Sequence, residues 1–372
     1  MGFCIFLWNE GALMKILLKL FMFSLLWTLT FCAKKDNKTD EEKLLAYFVS
    51  SISQEVNHKL FKYQAGTPGV SAESQFLLAG TQNKTSKLKV IFIHGWDFTE
   101  KSSDPPTSDS KKIQNIKDTW GIAFKIYDET ILNLANQGQE SSYDVYAFTY
   151  RTADSILDNG KRLIDTLNAN FVASDKVVIV AHSMGGLISR IALYHENNTS
   201  DVIDYIVSLG TPYYGSPFAS SAYQNSSGVL GDLSSFATNS QGGKELGHTN
   251  TGNDTFITDA VNLSLDLSNE KTAKDNRIYP YAGNLGPPLS CSIAEGGDIY
   301  VNGCKALQSG SPTFLFSDGI VPMFSARMGN KVSSNYTIKA GFDHKMLSFR
   351  PESITTRAFF TEVITKVLAF TF

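Results

Sequence analysis

The sequence lacks any long run of basic residues. Its 33 lysines and arginines stand against 36 aspartates and glutamates, so the formal net charge is −3 at pH 7. Because proteins that bind nucleic acid carry a clustered positive charge, this balance excludes a nucleic-acid partner. Low-complexity segments do not dominate the chain either, since 42% of its 372 residues are hydrophobic. That share predicts a substantial core, in one large α/β domain or two smaller ones.

The apolar run near the N-terminus is shorter than a typical membrane span, which favours an export signal over a permanent transmembrane helix. It covers 20–31, whereas a spanning helix needs roughly 20 apolar residues. Lys15 and Lys19 precede the run, an order typical of an export signal that starts at the internal Met14. We therefore assign 1–33 to an export signal, and 34–87 to a polar tether and an N-terminal helix at about 44–63.

Cysteine is scarce, and its positions carry information. Cys32 directly follows the apolar run, and this order resembles a bacterial lipoprotein signal, although Phe31 is bulky where a small residue is usual. Lipidation at Cys32, plain cleavage and a retained anchor all stay open. We expect an exported protein, either secreted or in the cell envelope, where an N-terminal anchor would bring it to a membrane surface.

Only one pair of cysteines falls in the folded part, because Cys4 also lies in the signal region. The remaining two are Cys291 and Cys304. In an oxidising compartment this pair predicts a disulfide, whereas in the cytosol the two residues would be free thiols.

Buried strands and amphipathic helices alternate from Leu88 onward. Continuous β-branched runs of the kind found in parallel sheets begin at positions 88, 144, 176, 202, 277 and 336. The helical segments predicted with them are 113–134, 155–171, 185–195 and 351–370. This alternation predicts an α/β domain over 88–372, built on a mainly parallel, doubly wound sheet. The segment at about 213–276 is an insertion, which we expect to cap the carboxyl edge of the sheet, where ligands bind.

The stretch VIVAHSMGGLISR places Ser183 between a strand and a helix. A nucleophilic serine at such a turn needs small residues two positions to either side, and here they are Ala181 and Gly185. Alanine adds one methyl to the usual glycine and still fits. The pattern therefore predicts that Ser183 is a nucleophile.

A serine nucleophile needs a base to remove its proton. In the order serine, acid, histidine, the base must follow both Ser183 and an acid. His195 lies on the helix that leaves the turn, and His248 lies in the insertion, upstream of the best acid. His344, which follows the last predicted strand, is our candidate base; the alternative is a surface-loop histidine.

The acid is predicted at Asp318, in an Asp-Gly turn after an apolar strand. Asp343 is a rival, but it is adjacent to His344, and neighbouring side chains diverge in most backbone conformations. Asp298 is a weaker third candidate. A simple turn remains the alternative for Asp318.

Acyl transfer also needs donors for the developing oxyanion. We expect these to be the backbone N–H groups of Met184, which follows the nucleophile, and of Trp96, in the loop after the first strong strand. His94 in that loop is expected to be structural.

With these motifs, the segment 88–372 resembles the α/β-hydrolase superfamily, and within it the secreted bacterial lipases and esterases. The resemblance rests on His94-Gly95 after a strand, on AHSMG around Ser183, on LGTPYYGSP from Leu209, and on SDGIVP with a later Asp-His.

The resemblance implies a triad of Ser183, Asp318 and His344, oxyanion donors at Met184 and Trp96, and a lid formed by the insertion. It implies no cofactor. Calcium-dependent lipases of this group carry an aspartate two residues after the histidine, where this chain has Met346. We therefore expect no structural calcium.

The expected function is hydrolysis of carboxylic esters of lipids by a monomeric serine hydrolase. Apolar residues of the insertion favour an acyl-chain substrate, although they could equally form the core of the cap: Val229, Leu230, Leu233 and Phe236. Within enzymes, the alternatives are a short-chain esterase, a thioesterase or an amidase. An inactive, envelope-anchored binding protein on the same scaffold is an alternative of another class.

Overall fold

The strands of the described residues form one mixed sheet. The computed structural model describes residues 57–65, 75–80, 85–105, 107–219, 229–247, 273–287, 289–310, 314–328 and 335–372. The predicted export signal, with Cys4 and Cys32, lies outside these ranges. Among the described helices, none combines the length and the apolar character that a membrane span requires.

Eight strands are ordered β2-β1-β4-β3-β5-β6-β7-β8 across the sheet. Strands β3 to β8 pair in parallel, whereas β1 runs antiparallel to both β2 and β4. Their bounds are β1 His58–Tyr63, β2 Phe76–Leu78, β3 Leu88–Ile93, β4 Tyr143–Tyr150, β5 Val177–His182, β6 Tyr205–Leu209, β7 Ile278–Asn284 and β8 Thr337–Ala340. The predicted fold class, an α/β-hydrolase fold with a mainly parallel, doubly wound sheet, is confirmed.

Helices cover both faces of this sheet. They are α1 Asp109–Asn136, α2 Ile156–Asn170, α3 Met184–Tyr194, α4 Val229–Thr238, α5 Gln241–Glu245, α6 Asp298–Gly310, α7 Met323–Ala326 and α8 Ile354–Leu368. Serine side chains accept backbone hydrogen bonds at the start of several helices, as Ser108, Ser155 and Ser353 do, which satisfies otherwise unpaired N–H groups.

Alternate residues of the central strands enter two separate cores, because successive side chains of a strand point to opposite faces. Ile91 of β3 packs in one core with residues of α2 and α3, such as Leu163 and Leu187. Phe92 packs in the other with residues of α1 and α8, such as Trp120. Every residue of β3, β4 and β5 is buried, which explains their nearly continuous apolar sequences.

Two predicted elements were wrong in part. The end of the predicted helix at 44–63 is strand β1, because its backbone pairs with the edge of β4; residues 44–56 are not described. The sheet therefore begins before Leu88, where the sequence places the start of the hydrolase domain. The predicted apolar strand before Asp318 is also absent from the described residues 314–317, which contain only a single bridge between Ser317 and Pro322.

Candidate active site

Ser183 occupies a strained turn between β5 and α3. Its backbone has φ 53° and ψ −126°, a conformation that costs on the order of 1–3 kcal/mol for a residue with a side chain. The Ser183 N–H donates to the carbonyl oxygen of Leu209 at 2.9 Å, and the Gly186 N–H donates to the carbonyl oxygen of Ser183 at 3.0 Å. These bonds hold the turn against β6 and the first turn of α3.

The two small neighbours of Ser183 meet different constraints. A β-carbon at Gly185 would lie 2.6 Å from the carbonyl oxygen of His94 and 2.8 Å from that of Ile93, so this position requires glycine. Ala181 is the penultimate residue of β5, fully buried and in register with Ile93 and Ser208. Its methyl points from an ordinary strand position, which explains why alanine is accepted there.

Asp318 and His344 form a buried hydrogen-bonded pair. Nδ1 of His344 lies 2.7 Å from Oδ2 of Asp318. The other carboxylate oxygen accepts the N–H groups of Ile320 and Val321, at 2.9 and 2.6 Å. The His344 N–H also donates to the carbonyl oxygen of Asp318 at 2.9 Å. The tight turn after Asp318 thus fixes the carboxylate, and the carboxylate orients the imidazole.

Ser183 and His344 line the same cavity, whose volume is about 500 Å³. Trp96 also lines it. Because Trp96 follows β3 and Ser183 follows β5, the cavity lies at the carboxyl ends of the central strands, where open α/β sheets bind ligands.

The backbone N–H groups of Met184 and Trp96 have no acceptor among the described residues. Met184 is the first residue of α3, where the helix dipole favours negative charge. Gly95 brings the β3 loop close to the serine, since a β-carbon there would lie 2.9 Å from Cβ of Ser183. Neither N–H group is therefore engaged within the described residues, and the loop that carries Trp96 approaches the serine through Gly95.

The remaining histidines have other surroundings. His94 stacks on the ring of Tyr150 and contacts the carbonyl oxygen of Gly95 through Nδ1, at 2.8 Å. Burial lowers the pKa of its imidazole from 6.5 to about 4, although the bond to Gly95 acts in the opposite direction. His195 caps the end of α3 and accepts the Asn197 N–H at 3.0 Å. His248 lies outside the described residues.

The two other candidate acids, Asp343 and Asp298, form no hydrogen bond with the imidazole of His344. Asp343 accepts the N–H groups of Lys345 and Met346, both at 2.9 Å, and that of Gly296 at 2.6 Å. Burial raises the pKa of Asp343, and these three N–H groups lower it. Asp298 is exposed at the start of α6.

The predicted disulfide between Cys291 and Cys304 is confirmed. It closes the segment that leads into α6. Because the Gly296 N–H of this segment donates to Asp343, the residue before His344, the closed segment is tied directly to the histidine loop.

Two residues that hold the pair were missed by sequence reasoning. His182 donates from Nε2 to the carbonyl oxygen of His344 at 2.8 Å, and burial keeps the pKa of His182 well below its ordinary value. Gly210 has φ 62°, and a β-carbon there would lie 3.1 Å from both Oδ2 of Asp318 and Nδ1 of His344. The available signals were the histidine before Ser183 and the glycine in LGTPYYGSP. No group of three potential metal ligands occurs within the ranges that the structure covers.

A family model described as a PGAP1-like alpha/beta domain matches residues 140–232, which include Ser183. No curated protein matches the sequence.

Solved structures with similar folds include three bacterial enzymes. Lipase BlEst2 of Bacillus licheniformis, in its mature form, is 20% identical with a TM-score of 0.46; the match covers 78% of this chain and 95% of that one. Esterase B of Lactobacillus rhamnosis is 12% identical with a TM-score of 0.37, covering 88% and 93%. Phospholipase PlaB of Legionella pneumophila, in complex with thio-NAD, is 19% identical with a TM-score of 0.37, covering 65% and 44%.

All three TM-scores are below 0.5, so the fold assignment rests on the strand order of this chain and on the matched segment. Both agree with the resemblance predicted from the sequence. That resemblance, to the α/β-hydrolase superfamily, is thus confirmed, and the chain has the α/β-hydrolase fold.

Proposed function

We propose that the chain is a serine hydrolase that cleaves carboxylic esters, with Ser183, Asp318 and His344 as its triad. The observation that carries this proposal is the 2.7 Å hydrogen bond between Asp318 and His344, in a cavity that Ser183 also lines from a strained turn. A serine, an imidazole and an orienting carboxylate in this arrangement are the parts that acyl transfer requires.

In the proposed reaction, Oγ of Ser183 attacks the ester carbonyl carbon while Nε2 of His344 takes the hydroxyl proton. Asp318 stabilises the imidazolium through Nδ1–H. The N–H groups of Met184 and Trp96 donate to the oxyanion of the tetrahedral intermediate. His344 then protonates the leaving alcohol, and an acyl ester of Ser183 remains. Water, deprotonated by His344, attacks this ester and releases the carboxylic acid.

The cavity lining favours an acyl chain as one part of the substrate. Its apolar residues include Phe218, Leu246, Ile320 and Val321, and transfer of an alkyl chain from water is favourable by about 0.8 kcal/mol per CH₂ group. We therefore propose lipid esters as substrates. The names of the structural neighbours, a lipase, an esterase and a phospholipase, are in keeping with this choice.

We further propose that the insertion at about 213–276 acts as a lid. Ala219 and Leu246, at the edges of described parts of this insertion, already line the cavity. The backbone of α4 carries the four apolar lid candidates, whose side chains are not described. Export, either to the cell envelope with lipidation at Cys32 or as a secreted protein, remains part of the proposal, and the disulfide is compatible with it. The proposed enzyme acts as a monomer.

Labelling with a fluorophosphonate tests the nucleophile. The wild-type protein is expected to react, and Ser183→Ala to lose the reaction. Ser216→Ala is the matched control, because Ser216 also lines the cavity but donates its hydroxyl to the carbonyl oxygen of Ile320; it should still react. If the wild-type protein reacts no faster than Ser183→Ala, the chain is an inactive binding protein on this scaffold.

An acyl-length series then separates the enzyme classes. With p-nitrophenyl esters from acetate to laurate, kcat/KM should rise with chain length through the medium chains. A sharp loss of kcat/KM beyond the shortest chains would identify a short-chain esterase. Turnover of thioesters alone would indicate a thioesterase, and turnover of amides alone an amidase.

A further inference from the structure

The cavity lining contains two hydrogen-bonded groups of residues that differ in chemistry, which we call the apolar wall and the polar wall. The apolar wall consists of Phe218, Leu246, Ile320 and Val321. Its parts are joined through Ser216, whose N–H donates to the carbonyl oxygen of Leu246 at 2.9 Å and whose Oγ donates to that of Ile320 at 2.7 Å.

The polar wall comprises Lys111, Asn115 and Asp118 of α1, together with Lys345 and Arg350. Its two parts are joined by a hydrogen bond from Nη1 of Arg350 to the backbone carbonyl oxygen of Asp118. The apolar wall is therefore suited to an alkyl chain, and the polar wall carries charge.

Two cations of the polar wall lack a carboxylate partner. Nζ of Lys345 has no hydrogen-bond acceptor in the part of the chain that the structure describes. Arg350 donates to Oγ of Ser348 at 2.8 Å and to the Asp118 carbonyl, and it forms no salt bridge within the described ranges. Burial lowers the pKa of Arg350, although electrostatic interactions with Tyr300 and with the carboxylates of Asp118 and Asp343 act in the opposite direction. A guanidinium stays protonated in proteins, so this site holds a permanent positive charge.

The carboxylates that line the same cavity are already engaged or exposed. Asp97 accepts from Nζ of Lys111 at 2.7 Å and from Thr99. Asp118 is exposed and accepts from Gln114 at 2.6 Å. Asn115 is buried, and its Nδ2 has no acceptor among the described residues. A half-buried charge without a partner is costly, and no described carboxylate accepts a hydrogen bond from the side chain of Lys345 or Arg350, so both cations are available to an anionic ligand.

We infer that the polar wall binds an anionic group of the substrate, a phosphate or a carboxylate, while the acyl chain lies on the apolar wall. This inference rests on the proposed function and narrows its substrate class to amphiphilic esters that carry a negative charge. Lys345 directly follows His344, so the anion is expected near the ester bond, in the alcohol part of the substrate. Lys345 and Arg350 are then specificity residues.

Esters that share one acyl chain test the inference. The neutral substrate is 1-octanoylglycerol, and the anionic ones are 1-octanoylglycerol 3-phosphate and 2-(octanoyloxy)acetate, which distinguish a phosphate from a carboxylate. The wild-type enzyme should hydrolyse at least one anionic ester with the higher kcat/KM. Lys345→Gln should reduce the ratio of anionic to neutral kcat/KM by about tenfold, mainly through KM, because charge-assisted hydrogen bonds are the stronger ones.

Lys161→Gln is the matched control, since it removes the same charge from an exposed pair with Asp165 on α2 and lies outside the cavity lining. It should keep the wild-type ratio. Arg350→Lys retains the charge and Arg350→Gln removes it. Arg350→Lys should therefore keep the preference for the anionic ester, whereas Arg350→Gln should reduce it. If Arg350→Gln does not fold, Lys345→Gln decides the question alone, because that side chain is only half-buried. A ratio that is the same in wild type, Lys345→Gln and folded Arg350→Gln would overturn the inference.

A binding measurement separates this inference from the proposed catalysis. Octyl phosphate and the neutral octyl glucoside are titrated calorimetrically into Ser183→Ala protein. Binding of octyl phosphate that weakens about tenfold in Ser183→Ala/Lys345→Gln supports the anion site, even if no ester is hydrolysed and the proposed function fails. Equal binding of the two probes, or binding that does not depend on Lys345, refutes the anion site even if esters are hydrolysed.

Discussion

Replacing Gly210 by alanine perturbs the Asp318–His344 hydrogen bond while leaving both partners in place. Gly210 has φ 62°, and its new β-carbon would lie 3.1 Å from each of the two bonded atoms and 2.9 Å from Cδ1 of Leu347. The leucine side chain can turn away. The Asp318–His344 pair cannot turn away, because two backbone N–H groups hold the carboxylate. The two bonded atoms must therefore shift by a few tenths of an ångström, which changes the geometry of their hydrogen bond.

This shift should affect catalysis more than stability. An alanine in the left-handed region costs about 1–2 kcal/mol, which the free energy of unfolding in urea would report. Misplacement of a reacting group by about 1 Å can cost about 100-fold in rate, so we expect kcat on p-nitrophenyl octanoate to fall by about tenfold. KM should change little, since the walls of the cavity are untouched.

Gly138→Ala provides the matched control. Gly138 follows α1 with φ 68°, and no atom of the described residues lies within 4 Å of its β-carbon position. This variant carries the same backbone strain far from the hydrogen-bonded pair, so it should lose similar stability and keep the wild-type kcat. If both variants show the same kcat and the same loss of stability, contact with the pair has no catalytic consequence and the reasoning is refuted.

Two further predictions concern stability. Burial lowers the pKa of His94 from its ordinary value of 6.5 to about 4 in the folded protein. Between these two pH values the unfolded chain binds a proton at His94 and the folded chain does not. The stability that is present above pH 6.5 is therefore lost as the pH falls. Between about pH 7.5 and about pH 5 the wild type should lose about 2 kcal/mol more than His94→Asn in urea unfolding, and parallel pH profiles would contradict this. Cys291 and Cys304 are 13 residues apart, so reduction of their disulfide should lower the free energy of unfolding by about 3 kcal/mol. The free energy of unfolding of the Cys291→Ala/Cys304→Ala variant should not change when reductant is added. An equal loss of stability in wild type and variant, or no loss in the wild type, would count against the prediction.

The sequence was sufficient to predict the parallel part of the sheet, β3 to β8, and four of the flanking helices, α1, α2, α3 and α8. Strands β3 to β7 are buried, and their β-branched sequences reflect this; β8 was predicted although it is half-exposed. Strand β1 was missed because its residues have a helical apolar spacing and only its pairing with β4 makes it a strand. Backbone pairing with a distant segment leaves little trace in the local pattern.

In the candidate site too, some residues are predicted from local motifs, whereas others act through contacts with distant segments. Ser183 is predicted from a local motif because the turn itself demands small neighbours. The contribution of Gly210 depends on a contact with Asp318 and His344, more than 100 positions away in the chain. Its φ and its close approach follow from the position of β6 between β5 and β7, which no local pattern encodes.

Asp343 has a structural role beside the candidate triad that sequence reasoning did not predict. Asp343 was not chosen as the acid of the triad because it is adjacent to His344. In the structure its carboxylate accepts the N–H groups of Gly296, Lys345 and Met346. Two of these donors follow the histidine and the third belongs to the disulfide-closed segment. The position of the imidazole therefore depends on two carboxylates: Asp318 orients the ring, and Asp343 fixes the loop that carries it.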